Sequence, residues 1–422
     1  MIATTTWWPQ AARLAVALAN SGAYVGVICP DGSPLTTVSG VHEMFRYSAV
    51  RTRQSLATAL QAMRPDLVVP CDERAVAHLH EIYRHELLGP KSTDDYLPRL
   101  VERSLGSPQG YDVTLDRGAT LVLAGQEGIR VPVTRVLRSE ADVRVWCAER
   151  PLSALLKADR SWGGAGVALV DSSGSALPAF RRMSRPVATW RAAKFLLSNR
   201  DPFPLTAWLR RERSGVIGQD FVCGQPANIM AACWQGEVVA MIAVRVLDTA
   251  RQFGAATIIQ PVTHDGMESA AKRLVRRLGL SGFCGLDFMI EDGTGEAHLI
   301  ELNPRATQLG HLQLGAGCSL AAALVSRMRG DVPLPSGPPW IDKQTVAFFP
   351  QAWISNSAAS LLPLAHHDIP WEEPALVTEL LRRPWERRSS LSHLADLLLR
   401  RPGPAVLLAE AFEDTRLPGL AE

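Results

Sequence analysis

The chain carries the stretch LIELNPRATQLGH at residues 299–311. It alternates like a strand as far as a proline, and an acid, an amide and a cation stand out in it as Glu301, Asn303 and Arg305. Packing alone gives no reason to end a strand on such a series. The order of these side chains therefore indicates a binding site.

A hairpin places a second acid opposite this stretch. The run FCGLDFMI at 283–290 leads through EDGTGE into AHLIELN. A turn centred on Thr294 puts Asp287 directly opposite Glu301, where like charges destabilise an antiparallel pair. Without a bulge, alternation gives one face to Asp287, Met289, Leu299, Glu301 and Asn303. Two carboxylates and an amide oxygen predict a Mg²⁺ site. The alternative is two solvated acids, with Arg305 as an ion-pair partner.

A lysine followed by glycines forms a second motif, LLKADRSWGGAGV. Lys157 ends an apolar strand, and Gly163, Gly164 and Gly166 come shortly after it. Glycines let backbone N–H groups approach phosphate oxygens, and a lysine adds a point charge. The lysine precedes the glycines, so this is not the Walker order. A flexible hairpin loop is the alternative interpretation.

Two further segments have weaker signals. GQDFVCG at 218–224 suits a hinge strand whose backbone binds a base beside Phe221 and Val222, or it is an ordinary strand. Residues 181–213 carry nine cations against two acids. That stretch is either a set of solvated helix faces or an electropositive rim that attracts an anionic substrate. Its aromatic residues have helix-core spacing, which disfavours RNA binding.

Composition excludes several classes of protein. A chain of 422 residues predicts two or three packed units. The net charge of +2 gives no argument for nucleic acid or an anionic membrane. No apolar run reaches the ~20 residues of a membrane span, and no basic region precedes an apolar one at the N-terminus. Seven scattered cysteines suit reduced thiols, so we expect a cytoplasmic protein.

Strand-like and helix-like patterns alternate in the first part of the chain. The predicted strands are 2–6, 24–30 and 66–72, and the predicted helices are 9–23, 53–65 and 73–89. This rhythm predicts a parallel sheet with packed helices. The first strand lacks the G-x-G-x-x-G fingerprint, which disfavours a dinucleotide-dependent reductase. We expect a scaffold or substrate-binding unit.

The order of the motifs resembles the ATP-grasp superfamily of carboxylate–amine or carboxylate–thiol ligases. A lysine, a glycine-rich flap, a Q-D-F-V strand, a D-F strand and an E-x-N-P-R strand follow one another in residues 111–330. The resemblance implies an α/β (α+β) fold. An N-terminal Rossmann-like domain at 1–110 precedes a two-subdomain ATP-grasp domain at 111–330, with its lid at about 152–222. A C-terminal α+β region at 331–422 completes the chain.

The resemblance also implies roles for individual residues. ATP contacts fall on Arg117, Lys157, Trp162, Gly163, Gly164, Gly166, Gln219, Asp220, Phe221 and Val222. The metal ligands for one or two Mg²⁺, with Mn²⁺ as a substitute, are Asp287, Glu301 and Asn303. Glu301 would bridge, and the catalytic residues would be Lys157 and Arg305. His311 either contacts substrate or is structural.

By this resemblance the chain is an ATP-dependent ligase. It would activate a carboxylate as an acylphosphate for attack by an amine or thiol, releasing ADP and phosphate. The implied partners are small molecules, with no nucleic acid and no membrane, and a homodimer is compatible with this. The alternatives are an ATP-binding sensor or assembly subunit without turnover and a phosphotransferase. Pro226 replaces a family glutamate that holds ribose, and ATQLGH lacks the Q-V-E-H of biotin carboxylases, which argues against bicarbonate and biotin as substrates.

Overall fold

The fold is built from three sheets. The computed structural model describes residues 1–88, 95–150, 153–158, 166–171, 173–184, 215–313, 319–331, 345–354 and 360–382. Helices pack against each of the three sheets. The predicted α/β class, with a parallel sheet first, is confirmed. None of the helices in these ranges has the length and apolar character that crossing a bilayer requires.

The N-terminal sheet is parallel and four-stranded, in the order β3-β2-β1-β4. Its elements are β1 (Ile2–Ala3), α1 (Pro9–Asn20), β2 (Val25–Cys29), β3 (Val41–Arg46), α2 (Thr52–Met63), β4 (Val69–Pro70), α3 (Glu73–Leu88) and α4 (Tyr96–Leu105). The chain leaves β1 to β2 on one side and returns to β4 on the other. The carboxyl ends of β1 and β4 therefore form a switch point, where α/β sheets bind ligands.

The second sheet is antiparallel, in the order β5-β8-β6-β7. It is preceded by α5 (Tyr111–Thr114) and α6 (Arg117–Gln126), and its elements are β5 (Thr134–Leu137), α7 (Glu140–Glu149), β6 (Ala154–Ala158), β7 (Val167–Val170), α8 (Ser173–Ser184) and β8 (Val216–Asp220). One face packs α7 and α8 around Trp146 and Leu156. Strand alternation leaves Leu155 and Lys157 on the opposite face.

The third sheet has seven strands, in the order β13-β12-β9-β10-β11-β14-β15. Its elements are β9 (Gly224–Trp234), β10 (Glu237–Thr249), β11 (Ala256–Pro261), α9 (Asp265–Leu278), β12 (Gly282–Glu291), β13 (Ala297–Asn303), α10 (Leu320–Arg329), β14 (Val346–Phe348), α11 (Gln351–Ile354), β15 (His366–Asp368) and α12 (Pro374–Arg382). α9 packs on one face around Leu274. On the other face, Leu14 of α1 and Leu324 of α10 share a core with Met230. The first and third sheets therefore share one apolar core.

Three strands differ from the sequence prediction or extend it. β3, which was not predicted, is an edge strand whose side chains alternate between half-buried and exposed. β14 and β15, from the predicted C-terminal region, continue the seven-stranded sheet instead of forming a sheet of their own. The division at 110 and 330 stays a prediction.

Candidate active site

The hairpin of β12 and β13 brings its two acids face to face. Asp287 pairs directly with Glu301, as the turn arithmetic predicts. Asp287 also pairs with Asn228 of β9 on its other side. Directly paired residues project to the same face of a sheet. Three polar side chains from three strands therefore lie side by side.

A bulge in β13 corrects one part of the predicted face. The register shifts after Asp287, so that Phe288 pairs with Leu299 and Ile300 is an extra residue. Leu299 packs with Phe288 in the core beneath α9. The prediction that Leu299 shares a face with Glu301 is wrong, because one added residue reverses the side of every residue beyond it.

Asp287 is held by two amides and repelled by one acid. Asn228 Nδ2 donates to Oδ1 at 2.5 Å, and Asn303 Nδ2 donates to Oδ2 at 3.3 Å. Burial raises the pKa of Asp287 to about 6, and the facing Glu301 contributes to that rise. The two carboxylates therefore form an unfavourable pair in the absence of a cation between them.

Arg117 at the start of α6 connects two of the sheets. Asp116 caps the helix by accepting from the Ala119 amide at 2.8 Å, which fixes the first turn. The Arg117 Nη2 atom lies 2.6 Å from Glu301 Oε1 on the seven-stranded sheet. Its Nη1 donates to the Ala158 carbonyl of the second sheet at 3.4 Å. The resting partner of Glu301 is thus a guanidinium.

Lys157 lies near Arg117 and the two acids and is 6% exposed. Burial lowers the pKa of its amine to about 8; Arg117 contributes to the fall, while Glu301 and Asp287 oppose it. Within the described ranges, no hydrogen bond or ion pair satisfies its ammonium group. A buried ammonium group in this condition is a ready partner for an anion.

Arg305 faces the N-terminal sheet. Its Nη2 donates to Asn303 Oδ1 at 3.2 Å and lies 3.6 Å from Glu73 Oε1, at the start of α3. The next amide, Ala306 N, donates to the carbonyl of Pro70 in β4 at 3.0 Å. Burial raises the pKa of Glu73, and Arg305 opposes that rise. The end of β13 therefore meets the switch point of the first sheet.

The predicted hinge residues lie where the chain passes from the second sheet to the third. Gln219 is buried and donates to Thr134 Oγ1 at 3.1 Å. Asp220 ends β8 and pairs with Arg150 at 3.0 Å. Phe221 and Val222 follow in the connection to β9. Their contact with a base stays a prediction.

The glycine-rich flap is only partly described. At its far end, the Gly166 carbonyl accepts from the Ala158 amide at 2.8 Å. Trp162, Gly163 and Gly164 lie outside the described residues, as does most of the basic stretch at 181–213. Lys157 pairs with Val167, so the strands on either side of this segment, β6 and β7, are antiparallel neighbours.

The donor set fits a hard divalent cation. Two opposed carboxylates, one with a raised pKa, and the amide oxygen of Asn303 are the oxygen ligands that Mg²⁺ takes alongside water and phosphate. The lysine and arginine nearby suit the phosphates of the same ligand. Asp287, Glu301 and Asn303 are therefore able to hold the metal that the resemblance implies.

Sequence reasoning missed two residues of the site. Asn228 is the single strongly polar residue in the apolar run ANIMAAC of β9. Glu73 directly follows the buried strand VVPCD, and an acid at the carboxyl end of a parallel strand is a recognised signal. Both signals were visible, but nothing local to either segment points to Asp287 or Arg305.

These observations define the class: an α/β protein in which charged side chains from two mainly antiparallel sheets come together next to a parallel N-terminal sheet. A family profile described as an ATP-grasp domain matches residues 196–308, a range that includes both opposed acids. The chain therefore contains an ATP-grasp domain, and the resemblance drawn from the sequence is confirmed. A sequence search of curated proteins finds no match.

Solved structures with this fold include three ligases or synthetases. N5-carboxyaminoimidazole ribonucleotide synthetase of Thermus thermophilus has a TM-score of 0.56 at 18% identity, over 82% of each chain. The carboxyaminoimidazole ribonucleotide synthase of Aspergillus clavatus, complexed with ATP, has a TM-score of 0.57 at 16% identity, over 82% of this chain and 80% of that one. L-amino acid ligase of Bacillus licheniformis has a TM-score of 0.52 at 12% identity, over 79% of this chain and 74% of that one. At these identities the likeness establishes the fold.

Proposed function

We propose that the protein is an ATP-dependent ligase that joins a carboxylate to an amine. ATP phosphorylates the carboxylate, the amine (less often a thiol) attacks the acylphosphate, and ADP and phosphate leave. One observation carries the proposal: the buried Lys157 lies within electrostatic range of the opposed Asp287–Glu301 pair in an ATP-grasp fold. Cation and acids together suit a metal-bound polyphosphate.

The proposed ligand is ATP with one or two Mg²⁺. Asp287, Glu301 and Asn303 would hold the metal, which supplies charge neutralisation at the transferred phosphoryl group when bound. Lys157 would bind phosphate oxygens, and Arg117 would join it after leaving Glu301. The Aspergillus clavatus synthase complexed with ATP and the Staphylococcus aureus synthetase complexed with ADP support this choice of nucleotide.

The acceptor substrates would enter between Arg305 and the carboxyl ends of β1 and β4. Arg305 would stabilise the charge that develops on the phosphoryl group or carboxylate. Glu73 faces it at 3.6 Å and would bind the ammonium group of the incoming amine and accept its proton, which frees the nitrogen lone pair for attack. Positioning and charge neutralisation then account for catalysis, and no side-chain nucleophile is required.

Phosphate release provides the test of this function. Pairs of carboxylic and amino acids are screened with ATP and Mg²⁺, and the products of active pairs are identified by mass. The Glu301→Gln variant should abolish release while leaving the fold intact. Failure of every pair to raise release above background would contradict the ligase proposal and favour a sensor without turnover. A stable phosphorylated product formed without an amine would indicate a phosphotransferase.

We also propose a cytoplasmic location. The six cysteines within the described ranges are free thiols, as expected in a reducing compartment. The homodimer stays a prediction.

A further inference from the structure

The loop that carries Arg305 has two attachments of different kinds. Near Arg305, the Ala306 amide bonds to β4, and Thr307 donates from its amide and hydroxyl to the Met230 sulfur at 3.4 and 3.1 Å. Further along, His311 Nε2 lies in hydrogen-bond contact with Asp368 Oδ2 at 2.7 Å. That second attachment reaches β15, a strand from the far end of the chain.

Asp368 is the centre of a buried network. Its carboxylate is bound on one side by His311 and on the other by Arg13 of α1, at 2.5 Å. The side chains of His311 and Asp368 are 5% and 3% exposed. Burial alone would raise the pKa of Asp368, but Arg13 and His311 together lower it to about 2. The carboxylate is therefore a fixed charge at neutral pH.

The loop between these attachments has little slack. Leu309 and Leu312 are buried, and the Leu312 amide bonds back to Leu309 at 3.1 Å. A Cβ on Gly310 would lie 2.9 Å from Met230 Cε, so the backbone already touches β9. On the outer side, a cavity of about 440 Å³ borders His311, Asp368 and α1. Without the His311–Asp368 bond, the loop has room to move toward that cavity.

We propose that Asp368 is a positioning residue, which through His311 holds the Arg305 loop against the carboxyl ends of β1 and β4. A buried ion pair contributes little net stability over an apolar pair of the same size, so its main effect here is on geometry. The catalytic consequence rests on the proposed function of Arg305. The mechanical consequence, a looser loop, does not.

Hydrogen exchange tests the mechanical part without any substrate. In the full chain, the Asp368→Leu variant should exchange amides of 304–313 at least about tenfold faster than the wild type, while 282–291 in β12 is unchanged. Glu373→Gln is the matched control, because Glu373 ties the same C-terminal segment to Ser39 and does not touch the loop. Unchanged protection of 304–313 in Asp368→Leu would overturn the proposal.

A compensated double variant separates positioning from stability. Arg13→Met with Asp368→Leu replaces the buried charges by apolar side chains and should recover the melting temperature. We expect kcat for phosphate release to stay about 10- to 100-fold low, since a displacement near 1 Å has that effect, while KM for ATP changes less than about threefold. Asp368→Asn retains a hydrogen-bond acceptor for His311, so its kcat should lie between those of Asp368→Leu and the wild type. Recovery of kcat together with stability in the double variant would overturn the proposal.

Failure of the proposed ligase function can be told apart from failure of the positioning role of Asp368. If the wild type releases no phosphate with any substrate pair, the proposed function fails, and hydrogen exchange in 304–313 still decides the role of Asp368.

Discussion

Two buried clusters, one around Asp368 and one around Asp287, both combine acidic and basic side chains. They differ in whether the charge of the buried aspartate is neutralised. At Asp368, an arginine and a histidine bracket one carboxylate, and its pKa falls to about 2. At Asp287, a second carboxylate stands opposite, and burial with Glu301 raises its pKa to about 6. The first arrangement favours the charged state and the second opposes it.

The difference separates a structural cluster from a site built for a ligand. The Asp368 cluster is internally neutralised, so it joins α1, the Arg305 loop and β15 without an added ion. In the Asp287 cluster the two acids repel each other, and the pKa of the neighbouring lysine is lowered. Strain of this kind persists where a bound ligand relieves it.

The largest effect is expected from Glu301→Gln. Removing a carboxylate that would hold the metal should lower the rate of phosphate release by about 10³-fold or more. Glu296→Gln, on the exposed turn of the same hairpin, is the control and should be neutral. Retention of more than about a tenth of wild-type turnover in Glu301→Gln would place the metal elsewhere.

Removing the negative charge of Asp368 should destabilise the fold. Asp368→Asn leaves Arg13 without its main counter-charge, and we expect a loss of about 2–4 kcal/mol in the free energy of unfolding at pH 7. The pKa of Asp368 is lowered to about 2, so its contribution is present above the ordinary aspartate value of about 4 and is lost as pH falls through about 2. Denaturant titrations at pH 7 and pH 3 measure both. An equal loss at the two pH values would contradict the ion-pair explanation.

Removing a charge from the Asp287 cluster should change the free energy of unfolding in the opposite direction. Lys157→Met is expected to raise the stability of the nucleotide-free protein by roughly 1–3 kcal/mol at pH 7, while weakening ATP binding. The folded pKa of about 8 lies below the ordinary lysine value, so the cost is full below pH 8 and disappears as pH rises toward about 10. Thermal melts at pH 7 and pH 9.5 follow this trend.

The exposed Lys272→Met variant is the control for Lys157. Lys272 lies on the solvent side of α9, 3.9 Å from Glu268. Its replacement should leave stability within about 0.5 kcal/mol at both pH values. A destabilised Lys157→Met protein at pH 7 would mean that the lysine is compensated in the free enzyme.

The smallest effect concerns the resting partner of Glu301. Arg117→Gln removes a guanidinium that competes with a metal, so Mn²⁺ should bind about three- to tenfold more tightly without nucleotide, whereas ATP binds more weakly. Electron paramagnetic resonance titration of free Mn²⁺ measures the first change. Arg135→Gln, which breaks the exposed pair with Glu149, should leave Mn²⁺ affinity unaltered. A weaker Mn²⁺ affinity in Arg117→Gln would exclude competition.

The fold was largely predictable where the pattern is local. The β/α rhythm predicts the parallel sheet, and the Gln-Gly pair at 235–236 is a typical turn sequence, which here joins β9 to β10. β3 was not predicted from the sequence VHEMFR, because this edge strand has half-buried and exposed side chains. It therefore lacks the apolar run of a buried strand. Which sheet β14 and β15 join depends on pairing far along the chain, and local propensity carries no such information.

The site was predictable as far as one hairpin reaches. Turn arithmetic paired Asp287 with Glu301, because register within a hairpin follows from its turn. The bulge at Ile300 has no sequence signal and moved Leu299 to the other face. Asn228 and Glu73 come from segments about 60 and over 200 residues away from their partners, and only tertiary packing brings them in.

A crystal structure with Mg²⁺ and a non-hydrolysable ATP analogue tests most directly whether Asp287 and Glu301 hold the metal of a bound nucleotide. We expect Mg²⁺ at about 2.0–2.1 Å from oxygens of both carboxylates, with Arg117 released from Glu301 toward the phosphates. A nucleotide bound beside Lys157, with Arg117 still on Glu301 and no metal at either acid, would contradict this expectation.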